Sequence, residues 1–233
     1  MKKTVSAIVP AHNEEKRIGA VLDTLLASKD IDEVICINDG SKDQTEEIIK
    51  SKKSVHLISF KKNRGKAYAI VQGILHAKGD IVAFIDADLE GLTIENIHDL
   101  IAPLTEERYD GSIGYRSDPI DKLMFMPLAG ERAYYKKDLL PHAEELQDKG
   151  YGMELYLNNA FKDKQIKLLG LKGVTHMMKY EKQKYSVALR GLVFEVGDIF
   201  KEIFKQDNPL LFFINSYLYH FYIRPQKKRK QLF

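Results

Sequence analysis

Two carboxylates stand one residue apart where an apolar run gives out, in Gly79-Asp80-Ile81-Val82-Ala83-Phe84-Ile85-Asp86-Ala87-Asp88-Leu89-Glu90. Ile81 to Ile85 read as a short central strand covered on both faces, so Asp86 and Asp88 should emerge at its carboxyl end, where open α/β sheets bind ligands. Carboxylates so placed can face one divalent cation. Hard oxygen ligands with open positions suit Mg²⁺ or Mn²⁺ bridging a diphosphate. A solvated strand-to-loop turn has the same composition, so the chemical reading depends on the neighbouring loops.

Three other polar loops follow predicted strands: Pro10-Ala11-His12-Asn13-Glu14, Asn38-Asp39-Gly40-Ser41-Lys42-Asp43 and Asn63-Arg64-Gly65-Lys66-Ala67. The Gly40 turn lets backbone approach a ligand closely, and Asp39 can accept hydrogen bonds from a base or ribose. Arg64 and Lys66, at a predicted helix start, can neutralise phosphate oxygens together with the helix N-terminus. Asp-Gly-Ser is also a common turn, and Asp43 can simply cap a helix. What distinguishes these loops is their convergence.

The elements that must bring them together alternate. Strands are predicted over Val5–Pro10, Glu33–Ile37, Val55–Phe60 and Ile81–Ile85, with helices over Glu14–Ala27, Asp43–Lys50 and Lys66–Ala77 between them. Strands alternating with helices imply right-handed crossovers and an α/β, mostly parallel sheet flanked by helices. All four loops then lie on one sheet edge. Competing nucleotide sites lack their signatures: no G-x-G-x-x-G follows the first strand, and Gly65-Lys66 is followed by Ala67 where a P-loop needs Ser or Thr.

The four segments, taken in order with Asp86-Ala87-Asp88, resemble the ordered motifs of the family-two nucleotide-sugar glycosyltransferases of GT-A (Rossmann-like) fold. The resemblance is specific over roughly the first 120 residues. It implies nucleotide-sugar contacts from Pro10, Ala11, Asn13, Glu14, Asp39, Gly40, Arg64, Lys66, Asp86, Ala87 and Asp88, with Asp39 on the base, Glu14 near the ribose, and the Asp86/Asp88 pair on ribose and metal-bound diphosphate. Asn38 departs from the family's usual Asp at that position. The glycine-rich basic first loop of sugar nucleotidyltransferases is absent, and with no tryptophan the chain lacks the Gln-x-x-Arg-Trp motif of processive synthases. One sugar per acceptor is therefore expected.

The second half should serve the acceptor. Asp110 to Ser117 read as a strand delivering Arg116 and Ser117, and resemble the Gly-x-Arg segment of polyprenyl-phosphate glycosyltransferases; Arg116 could hold an anionic acceptor or make a surface ion pair. Gly130 to Lys137 match the family's acceptor-side helix, where Arg132 adds a positive charge or decorates a solvated face. Gly150-Tyr151-Gly152-Met153-Glu154-Leu155 should open a helix that buries Leu155, Leu157 and Phe161. The resemblance makes Glu154 the carboxylate that deprotonates the acceptor, with Leu155 in place of the usual second acid; alternatively it complements the helix dipole. His176, in a predicted strand, is by resemblance the metal partner of Asp88, or else a structural histidine.

From Ser186 the composition changes. Leu189, Leu192, Val193, Val196, Ile199, Phe200, Ile203 and Phe204 predict an amphipathic helix, followed by an uncharged aromatic block from Leu210 to Tyr222 and then Arg224-Pro225-Gln226-Lys227-Lys228-Arg229-Lys230. Aromatic rings beside a basic cluster suit a membrane surface, though core packing or a homo-oligomer interface would also cover them. Residues 1–182 are thus expected to form the GT-A domain, 1–115 serving the nucleotide sugar and 116–182 the acceptor, with 183–233 as C-terminal amphipathic helices and basic tail.

At 233 residues with a net charge of +3, the chain is long enough for one full core and calls for no nucleic-acid partner. The lone Cys36 excludes a disulfide framework and a zinc cluster, and fits a reducing cytoplasmic setting, peripheral to the inner face of the membrane. No segment reaches the roughly 20 apolar residues of a membrane span. The expected activity is metal-dependent transfer of a sugar, with UDP-glucose the donor by family frequency, to a lipid-linked acceptor such as polyprenyl phosphate, with inversion. A retaining transferase to a small phosphorylated acceptor such as phosphoglycerate, or a non-catalytic nucleotide-sugar-binding scaffold, are the alternatives.

Overall fold

The computed structural model describes residues 2–116, 126–176, 203–204 and 208–214. Among them are strands β1 (Val5–Ala11), β2 (Glu33–Asn38), β3 (Val55–Ser59), β4 (Ile81–Phe84), β5 (Leu89–Glu90), β6 (Gly111–Arg116), β7 (Glu131–Tyr135), β8 (Ile166–Leu171) and β9 (Thr175–His176). The helices are α1 (Ile18–Ala27), α2 (Thr45–Ser51), α3 (Lys66–His76), α4 (Ile94–Thr105), α5 (Lys136–Leu139), α6 (Ala143–Leu146), α7 (Met153–Ala160) and α8 (Pro209–Phe213).

Seven of these strands form one sheet in the order β3-β2-β1-β4-β7-β6-β8, and β5 pairs with β9 in a separate ribbon. Strands β1 to β4 are mutually parallel, β6 runs parallel to β8, and β7 is antiparallel to both its neighbours. This is the mostly parallel sheet flanked by helices that the alternating pattern predicts, and the arrangement the resemblance to the GT-A fold implies. The order reverses at β1, where β2 lies on one side and β4 on the other, which places a ligand crevice above their carboxyl ends.

Side chains alternate across β1 and divide the core in two. Val5, Ala7 and Val9 pack under Leu22 and Leu25 of α1 and Ile97, Leu100 and Ile101 of α4. Ile8 joins Ile70 and Ile74 of α3, Phe84, Tyr134 and Met153 and Leu157 of α7 on the other face. Each buried Val, Leu, Ile, Phe or Met among them contributes about 1.5–3 kcal/mol. Because α3 and α7 share this second face, the residues that open them can meet. Cys36 is wholly buried in β2, and burial pushes its thiol well above the ordinary range, so it is an inert core residue.

Several boundaries differ from those predicted. Residues 15–17 form a turn and α1 begins at Ile18, while Asp43 precedes α2 and accepts from the Thr45 backbone N–H at 3.1 Å and hydroxyl at 2.6 Å. No element is predicted between Glu90 and Asp110, where α4 lies, started by a reciprocal Thr93–Asn96 capping box. The largest correction is Gly130 to Lys137, expected to be a helix. Glu131–Tyr135 is a strand in mid-sheet, with Glu131, Arg132, Ala133 and Tyr134 all buried, and only Lys136–Leu139 turn helical. The predicted helix over 186–205 falls outside the described residues apart from 203–204, which are helical.

Candidate active site

The first two loops are tied to each other. Asn13 sits in the left-handed region at φ 58°, which lets its side chain accept from the Lys42 N–H at 2.7 Å while its own N–H donates to Ser41 Oγ at 3.0 Å. Glu14 N–H donates to Thr45 Oγ1 at 2.8 Å, and Ala11 C=O accepts from Asp39 N–H at 2.8 Å. Pro10 and Ala11 lie in register with Ile37 and Asn38 of β2. The side chain of Asn38 is buried, accepting from Ser41 N–H at 3.1 Å and donating to Glu46 at 3.1 Å. An amide can do both, whereas the family's usual Asp could not donate to Glu46.

Asp39 and Gly40 join the second loop to the third. The buried Asp39 carboxylate accepts from the N–H groups of Arg64 at 2.6 Å and Gly65 at 2.8 Å, two charge-assisted bonds that set the turn entering α3. Gly40, at φ 72°, lies against the third loop: an added Cβ would fall 2.6 Å from the Lys62 carbonyl carbon. This close approach to backbone is itself a reason for glycine at the turn. Arg64 is exposed and lays its guanidinium 4.0 Å from the centre of the Tyr68 ring.

Lys66 then reaches across the sheet edge. Its ammonium lies 2.7 and 2.9 Å from the two Asp86 carboxylate oxygens and 3.5 Å from Glu154 Oε1. Asp86, beyond the end of β4, and Glu154, in the first turn of α7, are thus joined through one cation. Burial pulls the Lys66 pKa down, but the charges of Asp86, Glu154 and Glu131 more than reverse that and hold it above the ordinary lysine value. The ammonium stays charged. Gly130 makes room for the pair, since a Cβ there would lie 2.7 Å from Asp86 Oδ2 and 2.8 Å from Lys66 Nζ.

The other expected site residues are distributed unevenly. Half-buried Asp88 lies in the turn between β4 and β5, with buried Ala87 before it. Strand β9 pairs His176 opposite Leu89, the residue after Asp88. Arg116 ends β6 on the same sheet edge as the four polar loops, and Ser117 lies outside the described residues. Arg132, expected beside the acceptor, is instead 0% exposed. Its guanidinium donates to Ala129 C=O at 2.7 Å, Asn158 Oδ1 at 2.7 Å, Pro127 C=O at 3.1 Å and Tyr134 OH at 3.2 Å. It anchors α7 to β7 and to the 126–128 turn.

Sequence reasoning missed Arg17. Buried under the first loop, it donates to Glu90 Oε1 at 2.8 Å and lies 3.5 Å from Glu14 Oε2. The Glu90 hydrogen bond raises its pKa; burial opposes this, and the charges of Glu14, Glu90 and Asp88 reinforce it. Arg17 therefore brings positive charge toward Asp88. The signal available was its spacing, three residues after Glu14 in the first motif.

No group of three or more His, Cys, Asp or Glu side chains among the described residues is placed to hold a metal alone. Mg²⁺ and Mn²⁺ commonly bind through one or two carboxylates plus substrate phosphates, so the Asp86/Asp88 turn fits that chemistry. No helix among the described residues is long and apolar enough to cross a membrane.

The chain matches curated relatives only in part. It is 39% identical over 97 residues, 36% of this chain and 30% of the relative, to a dolichyl-phosphate beta-glucosyltransferase of Trichomonas vaginalis. It is 36% identical over 103 residues, 42% of this chain and 28% of the relative, to a 4,4'-diaponeurosporenoate glycosyltransferase of Staphylococcus aureus. It therefore spans less than a third of the length of these two relatives. Among solved structures, glucosyl-3-phosphoglycerate synthase of Mycobacterium tuberculosis, in complex with Mn²⁺, UDP and glucosyl-3-phosphoglycerate, superposes with a TM-score of 0.61 at 25% identity, over 75% of this chain and 72% of that one. The family description "Glycosyl transferase family 2" matches residues 6–164, most of the chain. On that match, the four polar loops and α7 with Glu154 all fall inside the matched region, and the chain belongs to glycosyl transferase family 2.

Proposed function

We propose that the protein transfers one sugar from a nucleotide sugar, UDP-glucose or a close relative, to a lipid-linked acceptor with inversion. Residues 1–182 form the catalytic unit. The observation that carries this reading is the meeting of Asp86 on the donor edge and Glu154 on the acceptor half at one ammonium, 2.7 and 3.5 Å from Lys66. The donor lies over the first four strand ends, its diphosphate at the start of α3 beside Lys66, with Arg64 at the rim. Asp88 and His176 hold a divalent cation, which when bound offsets charge on the departing diphosphate. Glu154 takes the proton of an acceptor hydroxyl as the new bond forms, while Arg116 steadies an anionic part of the acceptor. A retaining transferase to a small phosphorylated acceptor is the second reading, favoured by the likeness to glucosyl-3-phosphoglycerate synthase and by the wholly buried Leu155 at the usual second acid.

The test is a thermal-shift panel of nucleotide sugars with and without Mn²⁺, because a ligand that binds only the native state raises its apparent stability. UDP-glucose should raise the melting temperature in a Mn²⁺-dependent way, and Asp88→Asn should abolish that dependence with the unliganded melt unchanged, since a turn acid carries little core packing. An unchanged Mn²⁺ response in Asp88→Asn would sink the metal assignment.

The tail supports membrane docking by composition and by the faces of its described residues. Ile203 and Phe212 pack on Leu155 of α7, while Phe204 at 71%, Leu210 at 70% and Leu211 at 51% are exposed. With Lys227-Lys228-Arg229-Lys230 worth about 1 kcal/mol per charge at an anionic leaflet, the full chain should co-sediment with anionic vesicles in a salt-sensitive way, and a chain ending at Gln206 should not. Equal behaviour of both would remove the membrane role.

A further inference from the structure

The ion pairs of Lys66 are unequal. Two contacts, of 2.7 and 2.9 Å, go to Asp86, and one of 3.5 Å goes to Glu154. Coulomb attraction weakens with separation, so the Glu154 arm exchanges first when another anion arrives. Gly130 lies against the Asp86–Lys66 pair, where an added Cβ would fall 2.7 Å from Asp86 Oδ2 and 2.8 Å from Lys66 Nζ. Glu154 is only 7% exposed, and a carboxylate so buried is stabilised by a neighbouring cation. Lys66 is also the first residue of α3, whose opening N–H groups attract phosphate oxygens to that spot.

We propose that Lys66 is a positioning residue coupling the two substrates: without donor its ammonium holds Glu154 in an ion pair, and a donor diphosphate at the start of α3 takes over that ammonium, leaving the Glu154 carboxylate free to serve the acceptor. The inference rests on the reading of Glu154 as base and of the strand-end loops as donor site. No covalent bond changes in the exchange; one ion pair replaces another. The base is thus released only when a donor is present, and the productive order is donor first.

The test uses UDP as probe on the full chain with Mn²⁺, by calorimetric titration of wild type, Glu154→Gln, Lys66→Met and the double variant, each first checked for a native melt. Glu154→Gln frees Lys66 for the diphosphate, so it should bind UDP about 3- to 10-fold more tightly than wild type. In the Lys66→Met background the same change should alter UDP affinity by less than about twofold. Lys66→Arg, which keeps the charge, should retain a gain on adding Glu154→Gln, and Lys66→Gln, which removes the charge but keeps a polar end, replaces Lys66→Met if the latter fails to fold. An equal gain with and without Lys66 would reveal plain repulsion between Glu154 and UDP, and no gain would show that Glu154 makes no claim on the ammonium; either overturns the proposal. Failure of wild type to bind UDP removes the donor site itself, and is visible before any variant is made.

Discussion

Glu154→Gln should lower sugar transfer by about 10²–10⁴-fold while the protein still binds nucleotide sugar, the loss expected when a positioned general base is removed without changing its shape. The geometry allows this separation. Among the described residues Glu154 lies 3.5 Å from Lys66 Nζ, whereas Asp86 keeps its own shorter contacts to the same ammonium. The measurement is kcat in steady-state transfer beside donor affinity. Near-normal turnover with intact donor binding would reject Glu154 as base, and would point to a retaining mechanism or to an acceptor oxygen that arrives ionised. A phosphate is such an acceptor, its second pKa being about 6.

Arg132→Met should cost about 3–5 kcal/mol of folding stability, seen as a lower urea midpoint at unchanged slope. The side chain is wholly buried and donates to three groups on the 126–129 turn and α7 plus the Tyr134 hydroxyl, so its removal strands several buried acceptors at about 1–3 kcal/mol each. Lysine does not repair this, because one ammonium cannot reproduce the planar fork. Arg132→Lys should therefore also be destabilised. Full stability in both variants, with only a raised acceptor KM, would return Arg132 to the acceptor-binding role expected of it.

The donor half is legible because its chemistry sits where patterns are strong. An apolar run ending in Asp86 and Asp88, and loops punctuated by Gly40 and Gly65, mark strand ends whatever the tertiary context. Glu131 and Arg132 are opaque for the opposite reason. Two adjacent charges look like a solvated helix face, and only the third dimension supplies Ala129, Pro127 and Asn158 as partners that let the arginine enter mid-sheet. Asn13, Asp39 and Gly40 are intermediate cases. Their positions in the loops are read correctly, yet what they hold in place is other loop backbone, information carried by the packing of β1, β2 and α3. Arg17 escapes notice because its i,i+3 spacing from Glu14 is common among surface charges, and its burial and its pairing with Glu90 exist only in the fold.

The placement of β7 between β4 and β6 bears on how the chain is made. Strand β4 ends at Phe84 and its outer neighbour ends at Tyr135, so 135 − 84 = 51 further residues must be synthesised before that edge can be paired. At about 5–20 residues per second, the ribosome leaves the edge open for about 3–10 s. The four residues Ile81-Val82-Ala83-Phe84 are apolar, with unsatisfied amides along one side, and form a site where nascent chains could pair with one another. The two carboxylates that follow, Asp86 and Asp88, end that run with charge, the kind of residue that discourages pairing between apolar strands.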